Sequence, residues 1–166
     1  MSKNSETEKI LEWYHSYKNG VYGYIFTFVR NHADTEDILQ TVFLALLNLG
    51  EKTQKIKHPK SYIFRMARNE ALRILKDANR DVIEDSFLLE KKGVNNVEDF
   101  INKDEIQNAL EQLPPEDREI LIMRVYEQMA FKEIARVTGK FLPSVTTKYY
   151  RAIKKLKFLL EKNNEN

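Results

Sequence analysis

The stretch FKEIARVTGKFLPSVTTKYYRAIKKLK, residues 131–157, decides the fold of the C-terminal part of the chain. Its first segment has helical apolar periodicity and ends at Gly139, a residue suited to the left-handed conformation that closes a helix. Pro143 fits the first turn of a second helix, because its missing N–H costs nothing there. The apolar residues of that second helix recur every three to four positions and predict one buried stripe, formed by Val145, Tyr149, Ala152, Leu156 and Leu159.

Two short helices joined by a glycine-containing turn are typical of a helix-turn-helix. The second helix carries hydroxyls and cations at its N-terminal end, where such a helix reaches base edges in a major groove. Further lysines and arginines follow, where they would meet phosphates. An ordinary helical hairpin with a solvated basic face is the alternative.

Composition excludes several classes of protein. A chain of 166 residues with 42% hydrophobic content can form packed cores, and the absence of cysteine excludes a disulfide scaffold, a thiolate zinc site and a cysteine nucleophile. The N-terminal residues contain no apolar signal core, and no run approaches the roughly 20 apolar residues of a membrane span. We therefore expect a soluble, cytoplasmic protein without direct membrane insertion.

Charge is divided unevenly along the chain although the formal net charge is only +2. Residues 52–80 carry nine basic and two acidic side chains, and residues 132–162 carry the same numbers. Residues 81–119 between them carry twelve acidic and four basic side chains. Two basic blocks separated by an acidic one predict two sites for a polyanion, although a solvated charged face remains the alternative for either block.

The periodicity throughout is helical, so the sequence predicts an all-α fold of two small helical domains. The first domain, residues 1–80, contains a helix that Asp34 could cap and another that begins at Pro59. The acidic segment 81–103 loses sustained periodicity and predicts a flexible linker. Residues 104–166 form the second domain, whose central helix begins at Pro114-Pro115 and precedes the helix-turn-helix.

Three motifs, in order, resemble those of one known family. DTEDILQTVF (34–43) is similar to the region-two helix of bacterial RNA polymerase sigma factors of the extracytoplasmic-function type of the sigma-70 family. SYIFRMARNEALRILKDANR (61–80) resembles the next helix of that region. ALEQLPPEDREILIMRVYEQMAFKEIA (109–135) with SVTTKYYRAIKKL (144–156) resembles region four. The resemblance covers most of residues 20–160 and implies an N-terminal region-two bundle and a C-terminal region-four bundle.

This resemblance implies a subunit that binds core RNA polymerase and directs promoter recognition, local DNA melting and transcription initiation. It places on the clamp coiled coil of the large polymerase subunit the residues Asp34, Glu36, Asp37, Gln40 and Phe43. A one-sided cluster of carboxylates and an amide can pair with arginines of a partner helix, while Phe43 adds apolar contact. For Asp34 a plain N-cap, and for Phe43 a core position, are the alternatives.

The resemblance also implies two promoter contacts, with duplex and with melted DNA. The minus-ten element, whose unstacked bases need a cationic groove and aromatic platforms, would be read by Lys57, His58, Lys60, Ser61, Tyr62, Arg65, Asn69, Arg73 and Lys76. Asn69 is the leading candidate for a base-edge contact, because its amide both donates and accepts. The minus-thirty-five element would be read by Ser144, Thr146, Thr147, Lys148, Arg151 and Lys155. Tyr150 either packs along the sugar-phosphate wall or belongs to the core.

A free-standing helix-turn-helix regulator that binds duplex DNA without polymerase is the competing function, and it leaves the Asp-Glu-Asp helix unexplained. An enzyme fits poorly, because the three histidines share no metal-ligand spacing and the chain has neither a glycine-rich phosphate loop nor a serine elbow. We expect no metal and no cofactor. The family usually has an anti-sigma partner, which we expect here too.

Overall fold

A computed structural model of the chain describes residues 2–81 and 101–164. In these ranges the fold is all-α, as predicted, with seven α-helices and one short 3-10 helix. The described residues divide into two compact units. Residues 82–100 hold most of the predicted linker 81–103 and lie outside the described residues.

The N-terminal unit is built on one long helix, α1 (Ser2–Val29), which packs against both α2 (His32–Leu49) and α3 (Pro59–Asp81). A 3-10 helix (Gly50–Lys55) connects α2 to α3. Burial of apolar side chains drives this packing, and the ring of Tyr24 lies 5.1 Å from that of Phe64 at the centre of the core. The fully buried side chains of this core include Val21, Tyr24, Ile25, Ile38, Leu46, Ile63 and Phe64.

The turn between α1 and α2 differs from the expectation that Asp34 caps α2. Arg30 has a φ of 53°, and this left-handed residue turns the chain so that Asn31 becomes the N-cap. The Asn31 side chain accepts a hydrogen bond from the Asp34 backbone N–H at 3.0 Å. Asparagine caps helices as well as aspartate does, so the Asp34 prediction was wrong by three residues. The Asp34 carboxylate is therefore exposed in the first turn of α2.

The C-terminal unit contains α4 (Ile101–Glu111), α5 (Pro115–Val125), residues 131–135 of α6 (Phe131–Thr138), and α7 (Leu142–Asn164). Helix α7 packs against α4 and α5. The core between these helices contains Leu110, Leu113, Leu121 and Ala152, with Ile106, Tyr149, Ile153 and Leu156 packed around it.

The turn between α6 and α7 forms as the sequence predicts. Gly139 has φ 71° and ψ 15°, and its N–H donates to the Ala135 carbonyl at 2.8 Å. Only glycine adopts this left-handed conformation at little cost. Pro143 lies in the first turn of α7. Gly139 and Pro143 thus set the short connection that presents the N-terminal end of α7.

Arg118, in the first half of α5, fixes the end of α4. Its guanidinium donates to the carbonyl oxygens of Leu110 at 3.0 Å, Leu113 at 3.2 Å and Glu111 at 3.3 Å. The last carbonyls of a helix have no partner within the helix, and the planar fork of arginine can serve several of them at once. Arg118 therefore ties α4, the α4–α5 turn and α5 into one structure.

We expect Arg118→Met to lower the free energy of unfolding of the C-terminal unit by about 1–3 kcal/mol, because it leaves carbonyl groups without their charged donor. Urea denaturation followed by circular dichroism measures the loss. Lys132→Met, at an exposed position of α6, removes the same charge as a control and should change stability by less than about 0.5 kcal/mol. Equal losses of stability in the two variants would contradict the role of Arg118 in holding the end of α4.

Candidate functional site

The exposed face of α2 combines acidic, amide and apolar side chains. Asp34, Glu36, Asp37 and Gln40 are all exposed, as their assignment to a partner interface requires. Leu44 and Leu47 are 58% and 44% exposed, which is high for leucine. Residues 37, 40, 44 and 47 share one side of an α-helix because their spacings are three and four. The face therefore offers charge in its first half and apolar surface in its second.

Phe43 is a core residue, and its assignment to a partner contact needs correction. Its side chain is only 6% exposed, and its ring meets that of Tyr14 edge to face at 5.0 Å. On an ideal helix, position 43 is turned by roughly 120° from position 37 but only about 40° from position 47. Phe43 therefore lies at the border of this face, and its ring packs on Tyr14 of α1. The exposed apolar residues Leu44 and Leu47 were missed by the sequence analysis, although their three- and four-residue spacing from Asp37 is visible in the sequence.

Helix α3 presents a basic face with polar and aromatic members. Its exposed side chains at helical spacing are Tyr62, Arg65, Asn69, Arg73 and Lys76. Lys57 and His58 are exposed in the loop before the helix, and Lys60 is half-buried in its first turn. Ser61 departs from the prediction. It is 4% exposed, and its hydroxyl donates to the His58 carbonyl at 3.3 Å, so its main contact stabilises the start of α3.

Arg73 is already engaged within its own helix. Its Nε donates to Glu70 Oε1 at 3.1 Å, and its Nη1 lies 3.4 Å from Asp77 Oδ2. The hydrogen bond to Glu70 raises the pKa of Arg73. A phosphate that binds Arg73 must therefore compete with two carboxylates one turn away on either side.

The predicted residues of α7 differ in exposure. Thr147, Arg151 and Lys155 are exposed, whereas Ser144, Thr146 and Lys148 are half-buried. The Thr146 hydroxyl donates back to the carbonyl of Pro143 at 3.0 Å or of Leu142 at 3.3 Å. Such back-bonding to the preceding turn is common for threonine in helices. The hydroxyl of Thr147 is thus better placed than that of Thr146 to meet a ligand.

Glu116, in the first turn of α5, binds two lysines of the helix-turn-helix at once. Its Oε2 lies 2.7 Å from Lys148 Nζ, and its Oε1 lies 2.9 Å from Lys140 Nζ. These hydrogen bonds, the one from Lys148 first, lower the pKa of Glu116 to about 2. Pairing with Glu116 raises the pKa of Lys148, whereas burial lowers that of Lys140. Lys140 lies in the turn before α7 and was not predicted as a functional residue.

Arg151 pairs with the next carboxylate of α5. Its Nε donates to Asp117 Oδ2 at 3.0 Å, and its Nη2 donates to Asp117 Oδ1 at 2.6 Å. The Asp117 side chain is 1% exposed, so its charge is compensated by this two-point contact. Arg151 therefore holds α7 against α5 through residues 34 positions apart in sequence. Its side chain is still 57% exposed, so its contact with DNA stays a prediction.

Tyr150 is 64% exposed, which excludes the core alternative for this residue. Its ring packs edge to face against that of Tyr149 at 5.3 Å. Thr147, Tyr150 and Lys154 share the solvent side of α7 by their three- and four-residue spacing. This face combines a hydroxyl, an aromatic ring and a cation, the groups that bind along a nucleic-acid backbone.

Within residues 2–81 and 101–164, none of the helices has the length and apolar composition that crossing a membrane requires.

Two family models match the chain. The model of Sigma-70 region 2 matches residues 13–81, and that of Sigma-70 region 4 matches residues 103–156. Both matches follow the order and the extent of the two helical units.

Curated relatives and solved structures agree with these matches. RNA polymerase sigma factor SigV of Bacillus subtilis (strain 168) is 28% identical over 150 residues, which cover 89% of each chain. ECF RNA polymerase sigma factor SigX of the same organism is 26% identical over 170 residues, which cover 94% of this chain and 84% of SigX. The fold is similar to that of the sigma factor RpoE from Bartonella quintana, in complex with the anti-sigma factor NepR, with a TM-score of 0.66, 17% identity and coverage of 93% and 96%. CnrH, in complex with the cytosolic domain of CnrY, gives a TM-score of 0.66 at 18% identity over 97% and 93%.

The two matched regions together span most of the chain, and region 2 precedes region 4. The relatives named above are sigma factors as well. The chain belongs to the sigma-70 family and is a sigma factor of its extracytoplasmic-function type.

Proposed function

We propose that this sigma factor carries core RNA polymerase to promoters through three separate faces, one each on α2, α3 and α7. Residues 1–80 would form the region-two domain, 81–103 the linker and 104–166 the region-four domain. The observation that carries the proposal is that the two basic helices and the acidic-apolar α2 lie in the two matched regions, each with an exposed face.

The α2 face would bind the clamp coiled coil of the large polymerase subunit. Asp34, Glu36, Asp37 and Gln40 can pair with arginines, and Leu44 and Leu47 provide the apolar centre that a protein interface needs. Phe43 would contribute indirectly, by fixing α2 against Tyr14 of α1.

The α3 face would bind the melted minus-ten element. Arg65 and Lys76 supply cations, Tyr62, which is 38% exposed, supplies a ring on which a base can stack, and Asn69 lies between them on the same face. Lys57 and His58 extend this surface into the loop that precedes the helix.

The α7 face would bind the duplex minus-thirty-five element. Ser144 and Thr147 lie at the N-terminal end of α7, where a recognition helix reaches base edges. Further along α7, Tyr150, Lys154 and Lys155 would contact the sugar-phosphate backbone of the DNA. Arg151 would orient the helix through Asp117.

The competing function, a free-standing regulator, is disfavoured because residues 13–81 match region 2. Sigma factors act as initiation factors, and we propose no catalytic role and a cytoplasmic location, where core polymerase and promoters are found. The RpoE and CnrH structures are complexes with the anti-sigma factor NepR and with the cytosolic domain of CnrY. From this likeness we propose that an anti-sigma factor also binds this chain.

Run-off transcription from genomic promoter fragments, with core polymerase in the presence and absence of this chain, tests the function. We expect specific transcripts only when the chain is added, and their start sites define both promoter elements. Specific binding of duplex DNA by the chain alone, without stimulated initiation, would establish the regulator instead.

For the α2 face we expect Asp37→Arg and Leu44→Asp each to weaken binding of core polymerase at least about tenfold, because each places a wrong charge in the interface. Surface plasmon resonance with immobilised core enzyme measures the affinity. Glu12→Arg, at an exposed position of α1, makes the same charge reversal away from α2 and should bind normally. Wild-type affinity in both α2 variants would move the interface elsewhere.

For the α3 face we expect Asn69→Ala to leave polymerase binding intact and to reduce promoter opening about tenfold, the effect of losing one good base-edge contact. Permanganate reactivity of unpaired thymines reports the opening. Gln112→Ala, an exposed amide in the other unit, is the matched control. Normal opening by Asn69→Ala would remove Asn69 from base contact.

A further inference from the structure

Lys140 and Lys148 both bind the carboxylate of Glu116. The two lysine side chains are much less exposed than the Glu116 side chain. The two lysine side chains are 18% and 21% exposed, whereas Glu116 is 57% exposed. The lysine stems are therefore packed and their ammonium groups are held in place. Glu116 is the member of the trio with room to move.

Two ammonium groups that lie within 3 Å of one carboxylate repel each other, and an anion between them offsets this repulsion. The Glu116 carboxylate supplies that anion with one oxygen toward each lysine. A phosphodiester carries the same arrangement of two charged oxygens on one centre and is the anion that lysines meet on DNA. The pair of lysines is thus a preformed site for one anionic group with two oxygens.

The position of this site matches the place where a duplex would lie. Lys140 is in the turn that precedes α7, and Lys148 is one helical turn beyond Ser144. Residues at the turn and in the first turns of a recognition helix flank the groove and meet its phosphate wall. If α7 is the duplex-binding helix, Glu116 therefore occupies the position that a backbone phosphate would take.

We propose that Lys140, Lys148 and Glu116 form an exchange site, in which one DNA backbone phosphate displaces the Glu116 carboxylate from the two lysines. This inference rests on the proposed role of α7 as the duplex-binding helix. It adds Lys140 to the DNA-binding residues and makes Glu116 an internal competitor of DNA. Because the pKa of Glu116 is about 2, the competitor is ionised at neutral pH.

The neighbouring pair, Asp117 and Arg151, does not exchange in this way. Asp117 is 1% exposed, and its two contacts to Arg151 hold α7 on α5. A buried carboxylate that lost its arginine would remain as an uncompensated charge. Adjacent carboxylates in the first turn of α5 thus have different roles, set by their exposure.

The exchange predicts that Glu116 weakens DNA binding. The two lysines can bind a phosphate only after their contacts to Glu116 are broken, and breaking these contacts costs free energy. The test uses the full chain and a fluorescein-labelled duplex of random sequence, roughly three helical turns long, with affinity measured by fluorescence anisotropy over a range of salt concentrations. We expect Glu116→Gln to bind about three- to tenfold more tightly than wild type at physiological salt. Its log–log salt slope should be steeper by at most roughly 0.9, because in wild type the displaced Glu116 carboxylate takes up a counterion that offsets part of the release at the phosphate.

Five further variants complete the test, and two of them, Lys148→Gln and Lys154→Gln, test the duplex-binding role of α7 itself. Lys140→Gln should bind more weakly than wild type, with a slope shallower by about the same amount. Glu161→Gln removes an equal charge thirteen residues beyond Lys148, roughly 20 Å along α7, and should change affinity less than twofold. Glu116→Ala checks that the effect follows the lost charge, and thermal unfolding followed by circular dichroism confirms that each variant folds.

The outcomes separate this inference from the function on which it rests. Wild-type affinity and slope in Glu116→Gln, together with weakened binding by Lys148→Gln, would overturn the exchange and leave α7 as the duplex-binding helix. Equal gains in Glu116→Gln and Glu161→Gln would also overturn it, because a general charge effect would then suffice. Unchanged binding by both Lys148→Gln and Lys154→Gln would overturn the exchange and the assignment of α7 to duplex DNA together.

Discussion

The contact between Asp117 and Arg151 is the constraint on which the C-terminal unit depends. A carboxylate that is 1% exposed carries a large desolvation cost, which only a partner with matched geometry can offset. The two parallel hydrogen bonds from the Arg151 guanidinium fix the rotation of α7 about its axis as well as its distance from α5. If α7 binds duplex DNA as proposed, its rotation matters more than its distance, because rotation decides whether Thr147 and Tyr150 or the apolar stripe face the duplex. Arg118 holds α4 in place in a similar way, because its guanidinium donates to carbonyls in the last turn of α4.

Exposure assigns different tasks to side chains of the same chemical type. Asp34 and Asp37 on α2 are exposed and available to a partner protein, whereas Asp117 on α5 is buried and structural. Arg65 and Lys76 lie on an exposed face of α3, whereas the Arg118 guanidinium donates hydrogen bonds to backbone carbonyls. A charged residue in this sigma factor therefore contributes either to the fold or to its interfaces according to the partner that the packing supplies. The lysines of the exchange site are proposed to take both parts in turn.

Much of the fold was predictable because it depends on local signals. The conformation of Gly139, the start of α3 at Pro59 and the buried position of Val145 and Ala152 follow from backbone chemistry and helical spacing. The candidate site was less predictable, because periodicity gives the side of a helix and not its partner. Phe43 and Ser61 lie at the borders of their helix faces, where a small rotation decides between core and surface. The pairing of Arg151 with Asp117 joins residues 34 positions apart, and no local pattern in the sequence records it.

The linear map of charge also changes meaning once the chain is folded. Glu116 and Asp117 belong to the acidic block of residues 81–119, which the sequence sets apart from the basic block 132–162. In the folded unit these two carboxylates lie against Lys140, Lys148 and Arg151 of that basic block. The positive electrostatic field around α7 is therefore weaker than the nine cations of the basic block would produce alone. Long-range attraction to DNA follows this net field. On the proposed role of α7, the first turn of α5 would therefore limit sequence-independent binding, while Thr147 and Ser144 would still meet base edges.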